Sequence, residues 1–333
     1  MAGTIRSTSG RGMRALSERP VFITALILIL LFSFCAVQFP FVISTRVLDN
    51  LLTDNAYLGV IAIGMTVVII SGGIDLSVGS VLAFVGVMLG VLITGQGVDP
   101  IIAFAVALVV GTAFGAFQGA AIHFLGAPSF IVTLAGMFLA RGAAFLLTED
   151  SIPINHRLYG VLADANLPLP GGGQLSFAAI VMLSMLVAAI ILLRRTEFGL
   201  NVYAIGGDRR AAELMGVRSG RTTVAIYAFS GFAAAVGGIL YSLYTGSAYP
   251  LAGVGLELDA IAATVIGGTL LTGGAGGVLG TFLGVLILGV IQLYITLDGS
   301  MSSWVAKIVT AILLLLSILT QRFVAAKAVR HRS

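Results

Sequence analysis

The segment Gly199-Leu-Asn-Val-Tyr-Ala-Ile-Gly-Gly-Asp-Arg-Arg-Ala-Ala-Glu-Leu-Met-Gly-Val217 is polar and cationic, and it stands between two strongly hydrophobic stretches of the chain. Charged side chains are costly in lipid, so this segment is expected at the membrane surface. Asp208 is a predicted N-cap for a short helix, with Glu213 in its early part, where acidic side chains favour a helix start. The residues expected to form a compact apolar face and then end or bend the helix are Ala211, Ala212, Leu214, Met215, Val217, Gly216 and Gly220.

Two interpretations of this segment stay open. It is either a solvated amphipathic connector at the membrane surface or a docking surface for a protein outside the membrane. Docking is favoured because charged residues flank the apolar pairs Ala211-Ala212 and Leu214-Met215.

The composition is that of an integral membrane protein. Of 333 residues, 58% are hydrophobic and 10% are charged, and the mean hydropathy is +1.09, whereas a soluble domain carries about 25% charged residues. Fourteen of the 18 basic residues fall before the first apolar span, in the central loop or at the C-terminus. Because positive loops stay in the cytoplasm, both termini and the central loop are expected there, and this distribution argues against nucleic acid as a partner.

The hydrophobic runs predict an all-α, polytopic protein with about ten transmembrane helices. The candidate spans are 21–39, 56–71, 76–95, 100–124, 129–147, 175–193, 223–245, 258–271, 276–296 and 302–321. Six crossings return the chain to the cytoplasm at the arginine-rich loop, and four more bring the C-terminus inside. The spans 56–71 and 258–271 are short and end in glycine pairs, so either is expected to be a broken or tilted helix.

The hydrophobic runs and the basic segments divide the chain into a membrane domain and two tails. A cytoplasmic N-terminal tail covers residues 1–20, the membrane domain 21–321, and a basic cytoplasmic C-terminal tail 322–333. Within the membrane domain, residues 194–222 form the cytoplasmic loop. Residues 148–174 form the longest outside loop, in which prolines and glycines predict irregular structure with a short helix.

Glycine, with 43 residues, recurs in an ordered way. Two stripes at four-residue spacing are expected either to let helices pack closely or to line a pore: Gly111, Gly115 and Gly119, and Gly276, Gly280 and Gly284. The stretch from Ser71 to Leu82 also aligns with that from Thr272 to Leu283, with both opening a span in the same orientation. This echo predicts a parallel internal repeat, an architecture found in transporters.

Intrinsic catalysis is not expected. Neither lysine, Lys307 or Lys327, follows a phosphate-binding glycine motif, so the chain does not bind ATP in that manner. The histidines are scattered, and the single cysteine lies in the first span, so no metal or catalytic constellation is indicated.

Four charged residues near or within the spans have two interpretations each. Asp75 caps the following span or lies on a transport path. Arg141 lies well inside a span, where an unpaired cation is costly, and it either pairs with a carboxylate or lines the path. Glu257 and Asp259 open a span on the outer side, and they either cap it or accept hydrogen bonds from sugar hydroxyls.

Three blocks resemble the permeases of bacterial sugar ABC importers of the ribose/galactose/arabinose type. They are Tyr203-Ala-Ile-Gly-Gly-Asp208 with Ala211-Ala212 and Met215-Gly-Val217, then Gly64 to Gly79, then Val265 to Gly274. Within that family, Ser151-Ile-Pro-Ile-Asn-His156 and Tyr249 to Asp259 are most similar to a permease of the galactofuranose importer.

The resemblance implies a bacterial inner-membrane transport subunit with no cofactor of its own. Its expected partners are a cytoplasmic ATPase that binds ATP and magnesium, a periplasmic sugar-binding protein, a second permease (a sister protein or another copy) and membrane lipid. The implied ATPase-coupling segment contains Gly206, Asp208, Ala211, Ala212, Met215 and Gly216. An ion-coupled secondary sugar transporter is the alternative, and the position of the acidic residues near span ends weighs against it.

Overall fold

A computed structural model describes residues 9–168 and 172–330, with side chains over 21–168, 172–302 and 304–319. The described chain is helical almost throughout, as its apolar runs predict. Its helices are α1 Ser9–Gln38, α2 Thr45–Asp54, α3 Ala56–Ile70, α4 Val78–Gly90, α5 Pro100–Phe124, α6 Ser129–Leu147, α7 Arg157–Ala163, α8 Phe177–Arg195, α9 Glu197–Gly207, α10 Arg209–Leu214, α11 Ser219–Thr245, α12 Leu256–Ile266, α13 Val278–Asp298 and α14 Ser303–Arg330. A short 3-10 turn, Pro40–Ile43, precedes α2, and a π turn, Val91–Gly95, extends α4.

Two small antiparallel ribbons lie in the outer loops. The strands are β1 Ile152–Pro153, β2 Asn166–Pro168, β3 Gln174–Ser176 and β4 Ser247–Ala248. Strand β1 pairs with β4, so that Ile152 lies opposite Ala248, and β2 pairs with β3, so that Leu167 lies opposite Leu175. The expected irregular loop with one short helix is therefore found, and the first ribbon ties it to the end of α11.

Each of the ten predicted spans contains a helix, but not all of these helices are long enough to cross a membrane. Among the described residues, seven helices are long and apolar enough to cross a membrane, and α2 with α3 forms an eighth span bent by 55°. Helix α12 has 11 residues, a rise of about 16 Å, which is about half of a hydrocarbon core of about 30 Å. The apolar part of α14, Trp304–Leu319, is also shorter than a full span.

The helix boundaries differ from the predicted tails. Helix α1 already begins at Ser9 and α14 continues to Arg330, so helical structure continues into both predicted tails, whereas the apolar parts of these helices are Val21–Gln38 and Trp304–Leu319. Residues 1–8 and 331–333 lie outside the described part of the chain.

Helix α3 forms the centre of the bundle. Every residue in it except Tyr57 is buried, and α8, α11, α12 and α13 pack around it. A helix that is apolar on all sides needs such an environment. The outer helices α1, α5, α6 and α8 instead leave many large apolar side chains exposed, as lipid contact requires.

The two glycine stripes lie at close helix contacts. A Cβ added at Gly111 would lie 2.6 Å from the Ala235 Cβ, and one at Gly119 would lie 2.8 Å from the Val224 Cα, so α5 and α11 pack backbone to backbone. Gly115 lies between these two in the same contact, against Tyr227 of α11.

In the second stripe, Gly280 and Gly284 meet the backbone of Gly267 and Ala263, at and just beyond the end of α12. Gly276, however, lies before α13, in the loop that precedes Val278, because its φ of +135° is incompatible with a helix.

Candidate functional site

The segment that the sequence singled out folds as two short helices, α9 and α10, joined at Asp208. The Asp208 carboxylate accepts a hydrogen bond from the Ala211 backbone N–H at 3.0 Å, which confirms it as the N-cap of α10. Gly216 follows α10 with a φ of +88°, a conformation that glycine adopts without strain.

Helix α10 buries one apolar residue and exposes two. Ala212 is buried, whereas the side chains of Leu214 and Met215 are each 85% exposed. The predicted compact face is therefore split: Ala212 holds the helix to the bundle, and Leu214 and Met215 point away from it. Two large apolar side chains on a charged surface loop are a typical anchor for a protein partner.

Charged groups fix α10 against the end of α5 and the start of α11. Arg209 pairs with Glu213 at 3.5 Å, and its Nη2 lies 3.1 Å from His123 Nδ1 and 3.3 Å from Thr223 Oγ1. A hydrogen bond from Ser219, together with the charge of Arg209, lowers the pKa of Glu213.

Helix α9 lies directly on the chain turn where α3 ends. A Cβ on Gly206 would overlap the carbonyl oxygen of Ile70 and would lie 2.6 Å from the Gly274 nitrogen. These two backbone atoms are themselves hydrogen-bonded, Gly274 N–H to Ile70 O at 2.8 Å. Tyr203, one turn earlier, donates its hydroxyl hydrogen to Gly276 O at 2.9 Å.

The two segments with similar sequences, Ser71–Leu82 and Thr272–Leu283, contact each other beside Gly206. Gly273 is so close to Gly72 that an added Cβ would lie 2.9 Å from the Gly72 nitrogen and 2.9 Å from Gly206 O. Residues 71–77, which follow α3, and 267–277, which follow α12, thus lie at the same end of the molecule, as the parallel repeat predicts. Helix α9 contacts Ile70 at the end of α3 and Gly273, Gly274 and Gly276 after α12, so it lies against both repeats.

The segment 71–77, here called the strap, begins with a turn and is not helical, and within it Asp75 and Ser77 are buried. Asp75 is 1% exposed. Its carboxylate accepts hydrogen bonds from the Ser77 N–H at 2.9 Å, the Ser77 hydroxyl at 2.7 Å and the Ser230 hydroxyl of α11 at 2.7 Å. The N-cap residue of α4 is therefore Ser77 and not Asp75. Asp75 instead binds the strap to α11 through Ser230.

Replacing Asp75 with asparagine is expected to destabilise the protein. Charge-assisted hydrogen bonds contribute about 1.5–3 kcal/mol each, and the neutral amide offers one acceptor oxygen where the carboxylate offers two. We expect the apparent melting temperature of the detergent-purified protein to fall by several degrees. Asp99→Asn is the matched control, because Asp99 is an exposed N-cap that accepts from the Ile101 N–H and asparagine caps equally well. Equal melting temperatures for both variants would contradict the proposed role.

A cavity of about 420 Å³ opens beside the coupling segment, between the strap and the loop that joins α5 to α6. Its wall includes Ser71, His123, Ser129, Arg209 and Tyr227. Sequence reasoning missed this cavity, because its polar groups come from five separate elements and form no local motif.

Arg141 binds carbonyl oxygens rather than the expected carboxylate. Its Nη1 donates to Pro250 O and, at 2.7 Å, to Ala252 O. These hydrogen bonds hold the loop between α11 and α12 against α6. Within the described part of the chain Glu257 is a more distant electrostatic neighbour and no ion pair to Arg141 is recorded.

Glu257 and Asp259 lie in the first turn of α12, but neither caps it. The N-cap is Gly255, with a φ of +83°. Glu257 contacts the first turn of α4, since a Cβ on Gly79 would lie 2.5 Å from Glu257 Oε2. Asp259 forms an ion pair with Lys307 of α14, with Lys307 Nζ 2.5 Å and 2.8 Å from its two carboxylate oxygens. Sequence reasoning missed this partner because it is 48 residues away.

The starts of α4 and α12 meet inside the bundle, and the two helices run in opposite directions from there. Helix α4 runs outward to Gly90, which packs on Ala248 of β4, and α12 runs inward to the loop that contacts Gly206. Discontinuous helices whose starts meet within the membrane are typical of transporter binding regions. The fold and this site define a multi-pass transport subunit with a surface segment that contacts the end of α3 and the loop after α12.

Comparisons with known proteins identify the family. A family model described as the permease component of branched-chain amino acid transport systems matches residues 47–318. The Inner membrane ABC transporter permease protein YjfF of Escherichia coli K12 is 54% identical over 303 residues, covering 91% of this chain and 92% of that protein. The chain therefore belongs to this family of ABC importer permeases, and it is a multi-pass protein of the bacterial inner membrane.

Relatives with assigned sugars lie at lower identity. The Ribose import permease protein RbsC of Escherichia coli K12 is 36% identical over 328 residues, covering 95% of this chain and 98% of that protein. The Fructose import permease protein FruG of Bifidobacterium longum is 37% identical over 286 residues, covering 84% and 83%. No solved structure matches the chain significantly.

Proposed function

We propose that this permease forms half of the path through which a monosaccharide, galactofuranose, enters the cell. A periplasmic binding protein delivers the sugar, and a separate cytoplasmic ATPase, which binds ATP and magnesium, drives its passage. The observation that carries this proposal is the contact of α9 with both glycine-rich segments, through Gly206 and Tyr203.

The coupling segment connects an exposed anchor to the broken helices. Leu214 and Met215 are the exposed groups that bind the ATPase. Because Asp208 joins α10 to α9 without an intervening loop, a force on α10 is transmitted to α9. From there it reaches Ile70 and Gly274, which precede α4 and α13, so ATPase movement changes the positions of both helices.

The sugar path runs along the side of α12 that carries charge. Arg141, Glu257 and Asp259 lie around the start of this helix, and carboxylates and guanidinium groups bind sugar hydroxyls through charge-assisted hydrogen bonds. The side chains of Lys307 and Asp259 are 53% and 22% exposed. Charged side chains that are exposed on a membrane helix do not face acyl chains. We therefore infer that a second permease subunit, a sister protein, covers Lys307 and Asp259.

The choice of galactofuranose rests on two outer segments. The named relatives at lower identity carry ribose and fructose, which supports a monosaccharide. The segments Ser151–His156 and Tyr249–Asp259 resemble the galactofuranose permease. The first contains β1 and the second directly follows β4, so the pairing of β1 with β4 places them in the same outer region. The outer loops that receive the sugar therefore carry the features that favour this substrate.

Reconstitution of the complete importer tests the proposal. Proteoliposomes with both permeases and the ATPase are expected to accumulate galactofuranose only when the binding protein is outside and ATP inside, and to exclude ribose. A variant ATPase that binds but does not hydrolyse ATP is the control. Uptake by this chain alone, driven by a proton or sodium gradient, would contradict the proposal and establish a secondary transporter.

A further inference from the structure

Three tyrosines and one aspartate, none of them used in the proposal above, lie together at the outer end of the bundle. The ring centroids of Tyr57 and Tyr241 lie 5.1 Å apart with the rings nearly perpendicular, and those of Tyr57 and Tyr244 lie 6.1 Å apart. The Tyr244 hydroxyl lies 3.3 Å from Asp54 Oδ1. We call these four residues the outer aromatic cluster.

The cluster forms where one helix breaks. Helices α2 and α3 meet at an angle of 55°, and this bend places Asp54, the last residue of α2, beside Tyr57 in the first turn of α3. Tyr241 and Tyr244 come from the last turns of α11. Tyr244 is about 38 Å along α11 from its start at Ser219, so the cluster lies at the opposite end of the protein from the coupling segment.

The chemistry of the cluster matches a sugar ring. The Tyr244 side chain is 53% exposed, Asp54 is exposed, and both Asp54 and Asp259 interact electrostatically with Tyr57. An aromatic face packs on the C–H face of a sugar, and carboxylates accept hydrogen bonds from its hydroxyls. Tyr57 packs against the exposed ring of Tyr244 and is itself packed by Tyr241, which limits the entropy lost on binding.

We propose that Tyr57, Tyr241, Tyr244 and Asp54 form a low-affinity monosaccharide subsite at the outer mouth of the path, an inference that rests on the proposed transport of sugar. The sugar packs on the exposed face of Tyr244, and Asp54 accepts hydrogen bonds from adjacent hydroxyls. A subsite on a transport path must bind weakly enough to release its ligand. The subsite therefore receives sugar from the binding protein and passes it toward Asp259.

An interfacial aromatic belt is the competing explanation, because tyrosines anchor many membrane proteins at the lipid boundary. Two features favour the subsite. The rings pack on one another rather than separately on the surface, with Tyr244 donating a hydrogen bond to a carboxylate, and they lie at a helix break. Trp304, at the outer end of α14 with 74% exposure, has the properties of a belt residue and provides a matched control.

The first test measures uptake by the complete importer. Tyr244→Leu and Asp54→Asn are each expected to lower the maximal uptake rate at least tenfold at equal membrane abundance, with sugar affinity of the binding protein unchanged. Tyr244→Phe keeps the ring and is expected to retain most of the rate. Trp304→Leu is expected to transport normally. A Trp304→Leu variant as impaired as Tyr244→Leu, or a Tyr244→Leu variant that transports normally, would overturn the subsite.

The second test detects the ligand on the purified chain. Because the protein has one tryptophan, Tyr244→Trp in a Trp304→Phe background supplies a single fluorescent reporter. Titration with methyl galactofuranoside is expected to change its emission at millimolar concentrations, and the acyclic polyol mannitol is expected not to. If ribose changes the emission and the galactofuranoside does not, the subsite stands and the substrate assignment is wrong. No change with any sugar would overturn the subsite itself.

Discussion

Gly206→Val is expected to abolish import while the protein still inserts into the membrane. Any side chain at this position overlaps the Ile70 carbonyl oxygen and approaches the Gly274 nitrogen. Both obstacles are backbone atoms joined by a hydrogen bond, so no rotamer change relieves the overlap. Helix α9 must then separate from both glycine-rich segments, and movement of α10 no longer reaches α4 and α13.

The neighbouring glycine supplies the control. A Cβ at Gly207 would meet nothing within 4 Å, and its φ is not in the left-handed region. Gly207→Val therefore changes the same helix by the same side chain without the overlap, and its uptake is expected to stay within about twofold of normal. The measurement is ATP-driven uptake in proteoliposomes, with ATPase co-purification showing that the partner still binds. Full uptake by Gly206→Val would refute transmission through this contact.

The double variant Leu214→Ala with Met215→Ala is expected to release the ATPase. Burial of such a side chain contributes about 1.5–3 kcal/mol, and both are 85% exposed in the isolated chain. If truncation removes about 3 kcal/mol of binding free energy in total, affinity falls on the order of 100-fold, since each 1.4 kcal/mol is tenfold. The ATPase then no longer co-purifies with the permease, and uptake stops.

A leucine at the other end of the molecule controls for the loss of apolar surface. Leu146, near the outer end of α6, is 90% exposed, and Leu146→Ala removes the same atoms away from the coupling segment. That variant is expected to retain the ATPase and to transport normally. Retention of the ATPase by the double variant would show that the anchor lies elsewhere on the cytoplasmic face.

Much of the fold follows from local sequence signals. Each predicted span contains a helix, because hydropathy over about 20 residues reflects the thickness of the bilayer. Asp208 was correctly predicted as a cap because a cap depends on residues three positions apart. The echo between Ser71–Leu82 and Thr272–Leu283 indicated that two segments share one orientation, and both indeed lie at the same end of the bundle.

The errors share one physical cause. Of the two interpretations of Asp75, the capping one is wrong, because its carboxylate accepts the hydroxyl hydrogen of Ser230 of α11 and Ser77 is the N-cap residue. Of the two interpretations of Arg141, the pairing one is wrong, because the loop after α11 presents the carbonyl oxygens of Pro250 and Ala252. Each partner is more than 100 residues away, and no local pattern carries such information.

The sequence by itself therefore determined the class of this protein, the positions of its apolar helices and the cap of α10, because hydropathy, charge bias and helix capping act over a few turns of chain. Only the tertiary structure decided that Gly206 lies on the hydrogen bond between Ile70 and Gly274, that the starts of α4 and α12 meet, and that Tyr244 donates to Asp54. Such contacts depend on which distant backbones approach one another. That approach is decided by packing of the whole bundle, in which small residues allow close contact and larger ones prevent it.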